Sequence, residues 1–217
     1  MANAVTISVT GDKPAYWDEA VSALMKRDRI LKKLIPAHHS EWLGPSATPF
    51  ITLARAVVGH QISVKAADAM WQRFMVACAD TPTPQRVIEL ASVDIASTGL
   101  SKRKAEYILD LALHFEQRKV HPDDWHAMED EAVIAELCAI RGIGRWTADM
   151  FLIFNLQRPD VLPLDDASLI RAISHHYFSG EPVSRFEARE VAQAWAPWRT
   201  VATWYLWRSL DPASVQY

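Results

Sequence analysis

The chain has 217 residues, half of them hydrophobic, enough for one large domain or two small lobes around a real core. A formal charge of −3 excludes a protein that coats nucleic acid through bulk positive charge, though not one that uses a local basic patch. Two cysteines, Cys78 and Cys138, lie far apart and outside any Cys-x-x-Cys pair. That excludes a disulfide framework, a zinc ribbon and a four-cysteine iron–sulfur cluster, and both are expected as buried, reduced thiols.

Residues 1–12 alternate weakly and read as a short extended arm. A helix is expected from Tyr16 to about Leu34, with Trp17, Ala20, Val21, Leu24, Met25 and Leu31 recurring every three or four residues. A Pro/Gly-punctuated loop follows. The stretch PFITLARAVVGHQISVKAADAMWQRFMVAC reads as two helices joined tightly at GHQIS, with Ser63 capping the second. Thr83 caps a short helix, and Ser92 begins another brief one. Residues 99–117 form an amphipathic helix capped by Ser101, with Leu109, Ala112, Leu113 and Phe115 inward and Lys102, Arg103 and Lys104 in its first turn. Residues 130–140 are helical, and Gly142 follows as the glycine past a helix end. The next helix starts just past Gly144 and runs to about Asn155. Asp165 or Asp166 starts another after a loop. Two more follow, roughly Ser184–Trp195 and Pro197–Leu210. Seven glycines, no repeat and no strand pattern make an all-α fold of short-jointed helices.

No apolar run reaches the roughly 18 residues of a membrane span and no signal peptide opens the chain, so a soluble cytosolic protein is expected. The eight histidines form no His-Glu-x-x-His pair, and no metal is expected. Nine tryptophans are more than this length needs. Most belong in the core, Trp195, Trp198 and Trp204 among them, and a surplus suits a pocket that stacks on flat ligands.

Residues 130–155 read helix, Gly-Ile-Gly turn, helix. Two glycines one residue apart serve positive φ or close approach of backbone to a neighbour. A turn at a helix N-terminus offers its N–H groups to an anion such as phosphate, and Arg141 and Arg145 flank it. The same pattern also makes an ordinary hairpin with a glycine cap. Four stretches decide the matter: LARAVVGHQISVKAA, GLSKRKAEYILDLA, IRGIGRWTADMFLIFNLQRPDVLPLDD and WAPWRTVATWYLWRSL. Together, from about Phe50 to Leu210, they resemble the helix-hairpin-helix (HhH-GPD) DNA glycosylases, nearest to the 3-methyladenine DNA glycosylase II type. Arg141 departs from the proline usual there, and His60 from a frequent glutamine. No extra N-terminal β domain is expected.

The resemblance implies a single unit of two interleaved lobes with the active-site cleft between them. Residues 50–155, with the hairpin at 130–155, make one lobe, and 1–49 plus 156–217 the other. It implies a monofunctional enzyme. The bifunctional members carry a lysine nucleophile where this chain has Trp146, and indole cannot form a Schiff base. Asp166, matched through the helix that follows it, is the catalytic carboxylate that stabilises a sugar cation. Asp165 remains the alternative, since either aspartate also suits a helix cap. Trp146, Trp207 and Met150 line the base pocket, and Gln61, with Ile62 second, is the wedge that fills the hole left by a flipped base. Gly142, Ile143, Gly144, Arg145 and Thr147, with Lys102 and Arg103, contact the DNA backbone, while Arg199 supports either the site or the backbone. No cofactor is implied beyond a monovalent cation on the hairpin carbonyls. The implied partner is double-stranded DNA containing alkylated bases, the protein a monomer in a bacterial-type cytoplasm near the nucleoid. The expected reaction is release of 3-methyladenine or 7-methylguanine. Deaminated or etheno purines, or a protein that only binds damaged DNA, remain alternatives.

Overall fold

The computed structural model describes residues 13–44, 47–90 and 98–210. The expected extended arm and the brief helix at Ser92 fall outside them. Among the described residues the regular structure is entirely helical. The chain divides into two compact units, one of residues Ser46–Phe151 and one of Met1–Pro45 with Leu152–Tyr217.

The unit of residues 46–151 is built from α3 (Pro49–Gly59), α4 (Val64–Ala77), α5 (Pro84–Leu90), α6 (Lys102–Glu116), α7 (Asp130–Cys138) and most of α8 (Arg145–Phe154). Three of these helices start where short polar side chains take an orphan amide. Ser63 accepts from Ala66 N at 3.3 Å, Thr83 from Arg86 N at 3.2 Å and Ser101 from Lys104 N at 3.3 Å. Helix α6 packs against α3 and α5, and an edge-to-face series Phe50–Phe115–Trp125–Phe151 runs through the core. Its fully buried residues are Ile108, Leu111 and Ala112. Leu109, Leu113 and Phe115, expected inward, are only half-buried. Cys78 is buried, and burial raises its thiol to about 11. Cys138 is exposed, against expectation, because it falls on the outer side of the last turn of α7.

The other unit is organised by α11 (Arg199–Leu210), buried continuously from Thr200 to Trp207. Around it lie α1 (Trp17–Arg27), the single turn α2 (Leu31–Leu34) and α9 (Ala167–Tyr177), while α10 (Arg185–Ala192) packs on α9. The helix expected over 16–34 is broken at Asp28. Its carboxylate takes the amides of Ile30 and Leu31 at 2.8 and 3.0 Å, starting α2, and holds Tyr177 Oη at 2.7 Å and Trp195 Nε1 at 3.0 Å. Four donors on one carboxylate outweigh one continuous ladder. Trp195 and Trp204 are core as expected, but Trp198 is half-buried and stacks on Tyr16 at 5.9 Å. Helix α10 starts with Ser184 and Glu187 in a reciprocal cap. No helix among the described residues is long and apolar enough to cross a membrane.

Candidate active site

The loop that follows α8 is pinned before it reaches α9. Arg199 grips Asp160 through Nε at 2.7 Å and Nη2 at 2.6 Å, and the Arg199 amide donates to the same carboxylate at 3.1 Å. Thr200 Oγ1 donates to Arg158 O at 2.6 Å and accepts from Val161 N at 2.9 Å. The N-terminus of α11 therefore holds the loop that leads to Asp166, with Arg199 committed to Asp160.

Asp166 is the N-cap of α9. Its Oδ1 accepts from Leu169 N at 2.7 Å and from Trp207 Nε1 at 2.8 Å. Two donors from different helices fix the carboxylate plane, and 9 % of the residue still reaches solvent. The neighbouring Asp165 turns outward and pairs with Arg185 at 2.7 Å. Two adjacent carboxylates are thus divided between a surface ion pair and a nearly buried, bonded group. Trp207 is 6 % exposed and lies parallel to Phe154 at 5.9 Å and 8°. Expected as a pocket wall, it spends its indole N–H on the candidate carboxylate.

In the hairpin, Gly142 has φ +89°, and a Cβ there would stand 2.3 Å from the Tyr107 ring. Gly144 differs: a Cβ there would meet nothing within 4 Å. Its carbonyl accepts the Ala148 amide at 3.0 Å, opening α8. The first amides of α8 therefore have no intrahelical acceptor. The Ile143 amide is already given to Ile140 O at 3.1 Å and its side chain is buried, so among the hairpin amides it is committed inward. The Thr147 side chain is buried too, with Oγ1 3.3 Å from His60 Nε2, so only its amide, in the first turn of α8, is left for a backbone contact. Arg145 is held by Glu131 at 2.7 and 2.9 Å and by Asp149 at 3.0 Å. Its charge is offset within the protein. Arg141 is anchored similarly, its amide to Asp110 at 2.8 Å.

One turn apart on α8, Trp146 is half-buried while Met150 is 2 % exposed. Gln61 is exposed at the α3–α4 joint with φ 56°, and Ile62 is half-buried. Lys102 and Arg103 are exposed in the first turn of α6, whereas Lys104 turns back to Val58 O at 2.6 Å. Among the described residues no group of three His, Cys, Asp or Glu is placed to hold a metal ion. Sequence reasoning missed Phe154, Asp160, Thr200, Tyr107, Glu131 and Asp149, of which all but Asp149 act through partners distant in sequence. Only Asp149 carried a local signal, four residues after Arg145 on one helix face.

A hairpin with a glycine at positive φ, followed by a pinned loop and a capping aspartate, defines a class. The sequence pattern of the HhH-GPD superfamily of base excision DNA repair proteins matches residues 54–197. The chain belongs to that superfamily. It is similar to DNA-3-methyladenine glycosylase 1 of Schizosaccharomyces pombe, 29% identical over 192 residues that cover 87% of this chain and 84% of the relative. Among solved structures it resembles the DNA-3-methyladenine glycosidase of Bacillus halodurans, with a TM-score of 0.81 at 32% identity, covering 91% of this chain and 92% of that one. It also resembles the S. pombe 3-methyladenine DNA glycosylase in complex with abasic DNA, with a TM-score of 0.76 at 28% identity, covering 92% and 100%.

Proposed function

We propose that this protein is a monofunctional DNA glycosylase that hydrolyses the N-glycosidic bond of alkylated purines, 3-methyladenine and 7-methylguanine, in double-stranded DNA. It would act as a monomer on cytoplasmic, nucleoid-associated DNA. The carrying observation is the bonded Asp166 carboxylate, with two donors on Oδ1 and limited solvent access.

An alkylated purine is already cationic. When its C1′–N bond breaks, the electron pair leaves with the base, which departs neutral, and positive charge builds on the sugar. A fixed carboxylate beside that carbon stabilises the cation without reorganising at the moment of reaction. Water then adds to C1′ and gives up its proton to the Asp166 carboxylate or the solvent. The cationic base needs no strong general acid, so a single carboxylate suffices. Trp146 offers an indole face to the electron-poor base. Because Trp146 holds the position of the lysine nucleophile in bifunctional relatives, no Schiff base forms and the strand is not nicked. Gln61 enters the duplex as the wedge, and the amides opening α8, with Lys102 and Arg103, hold phosphates. The similarity to proteins named as 3-methyladenine DNA glycosylases supports this substrate class.

Asp166→Asn keeps the cap and the shape but removes the charge. It is expected to retain binding to an abasic-site duplex within about threefold while base release falls by 100-fold or more, as loss of a main electrostatic group implies. Chromatography of free bases from methylated DNA measures both the loss and the lesion range, and near-normal release from the variant would reject the assignment. The hairpin carbonyls at Ile140 and Gly144 each accept an amide and keep a second lone pair, so a monovalent cation fits them chemically. Replacing potassium with tetramethylammonium at equal ionic strength is expected to weaken DNA binding, and equal affinity in both salts would remove the cation.

A further inference from the structure

We infer that His60 is a positioning residue: its bond to Thr147 locks the α3–α4 joint to the hairpin and so presents Gln61 to the duplex. The inference rests on the glycosylase reading above.

Gln61 has φ 56°, a left-handed backbone that L side chains adopt only at a cost. Such a conformation persists only where its surroundings over-determine it. Here both flanks are fixed. On the near side, the His60 amide closes the last turn of α3 onto Val57 O at 3.4 Å. Lys104 Nζ caps Val58 O at 2.6 Å. The His60 ring reaches the hairpin helix, Nε2 to Thr147 Oγ1 at 3.3 Å. On the far side, Ser63 caps α4. Between these anchors Gln61 is exposed.

The His60–Thr147 bond spans 87 residues of sequence and ties the joint to the first turn of α8. Thr147 is 4 % exposed, so losing its partner would leave a nearly buried hydroxyl without that bond. Burial, and secondarily the Lys104 charge, hold His60 below the usual histidine range. The neutral ring can then donate or accept one hydrogen bond at Nε2, according to its tautomer, whichever the hydroxyl requires. A glutamine amide has similar reach and both capacities; leucine has the volume and neither. Side chain and wedge are adjacent, so a shift of the His60 backbone carries Gln61 with it. His60 itself touches no substrate in this reading.

Single-turnover release of 7-methylguanine from a duplex tests the inference, with melting temperature checked for each variant. His60→Leu is expected to slow release about tenfold, and Thr147→Val to do the same, while His60→Gln stays within about twofold of the parent, in line with loss or retention of one buried hydrogen bond. Gln61→Ala should also slow release, and adding His60→Leu to it should slow it no further, because His60 acts through Gln61. A merely structural role would instead make the two losses multiply. Multiplying losses, a His60→Leu protein as fast as the parent, or an unaffected Gln61→Ala protein would each overturn the inference. If His60→Leu fails to fold, His60→Gln and Thr147→Val still decide. A parent protein that releases no 7-methylguanine would instead sink the proposed activity, so the two failures are distinguishable.

Discussion

The indole N–H of Trp207 ends on the same oxygen of Asp166 that receives the Leu169 amide. Those two donors do different work. The amide is the helix cap and would hold any aspartate placed at this position. The indole comes from α11 and sets the carboxylate's rotation about its own bond. Trp207→Phe keeps an aromatic face against Phe154 and removes only the donor. A hydrogen bond to a charged group contributes about 1.5–3 kcal/mol, so the chemical step should slow by roughly 10- to 100-fold. Affinity for an abasic-site duplex should stay within about twofold if the bond matters to orientation alone. Single-turnover rates beside equilibrium binding separate the two, and an unchanged rate would show that the cap suffices. From sequence, Trp207 reads only as a wall of the pocket. Its N–H partner lies 41 positions away, and no local pattern reveals such a bond.

Within the hairpin the two glycines answer to different neighbours. Gly142 is demanded by the protein itself, through its φ of +89° and the Tyr107 ring that fills the place of a Cβ. Gly144 faces open space, so the fold does not require it. The proposed approach of a phosphate would. Gly142→Ala should lower the melting temperature by several degrees, since positive φ costs about 1–2 kcal/mol and displacement of the ring adds to it. Gly144→Ala should melt within about 2 °C of the parent yet bind DNA about tenfold more weakly, as expected when a methyl holds a phosphate off a helix N-terminus. Equal DNA affinity would detach Gly144 from the backbone contact. At this scale the sequence was largely legible, because its signals are local. Ser63, Thr83, Ser101 and Ser184 cap the helices they precede, and Asp166 opens α9. Where legibility failed, the cause was tertiary or degenerate. The break at Asp28 is made by Tyr177 and Trp195, far along the chain. The inward face of α6 is ambiguous because Ile108, Leu109, Leu111, Ala112, Leu113 and Phe115 leave few angles without an apolar residue.

Across the whole molecule the charge is −3, so any hold on DNA comes from how cations are arranged rather than from their number. Arg145 illustrates the difference. By position it flanks the hairpin, but two carboxylates share its guanidinium, and Asp149 is 3 % exposed. Lys104 is likewise turned onto Val58 O, and burial, then the Arg103 charge, lowers its pKa. Lys102 and Arg103 remain exposed at the positive end of α6, where the helix dipole disfavours them unless an anion arrives. Each phosphate neutralised contributes about 0.9 to the slope of log affinity against log salt. Removing both Lys102 and Arg103 should therefore reduce that slope by about 1.8, uniformly for damaged and undamaged duplexes. Arg145→Met should leave the slope nearly unchanged and lower the melting temperature instead, because Asp149 then loses a partner in a buried setting. Salt titrations of the two variants set the assignments against each other. A slope that falls with Arg145→Met and holds without Lys102 and Arg103 would place the phosphate contact on the hairpin arginine, with Glu131 released from it when DNA binds.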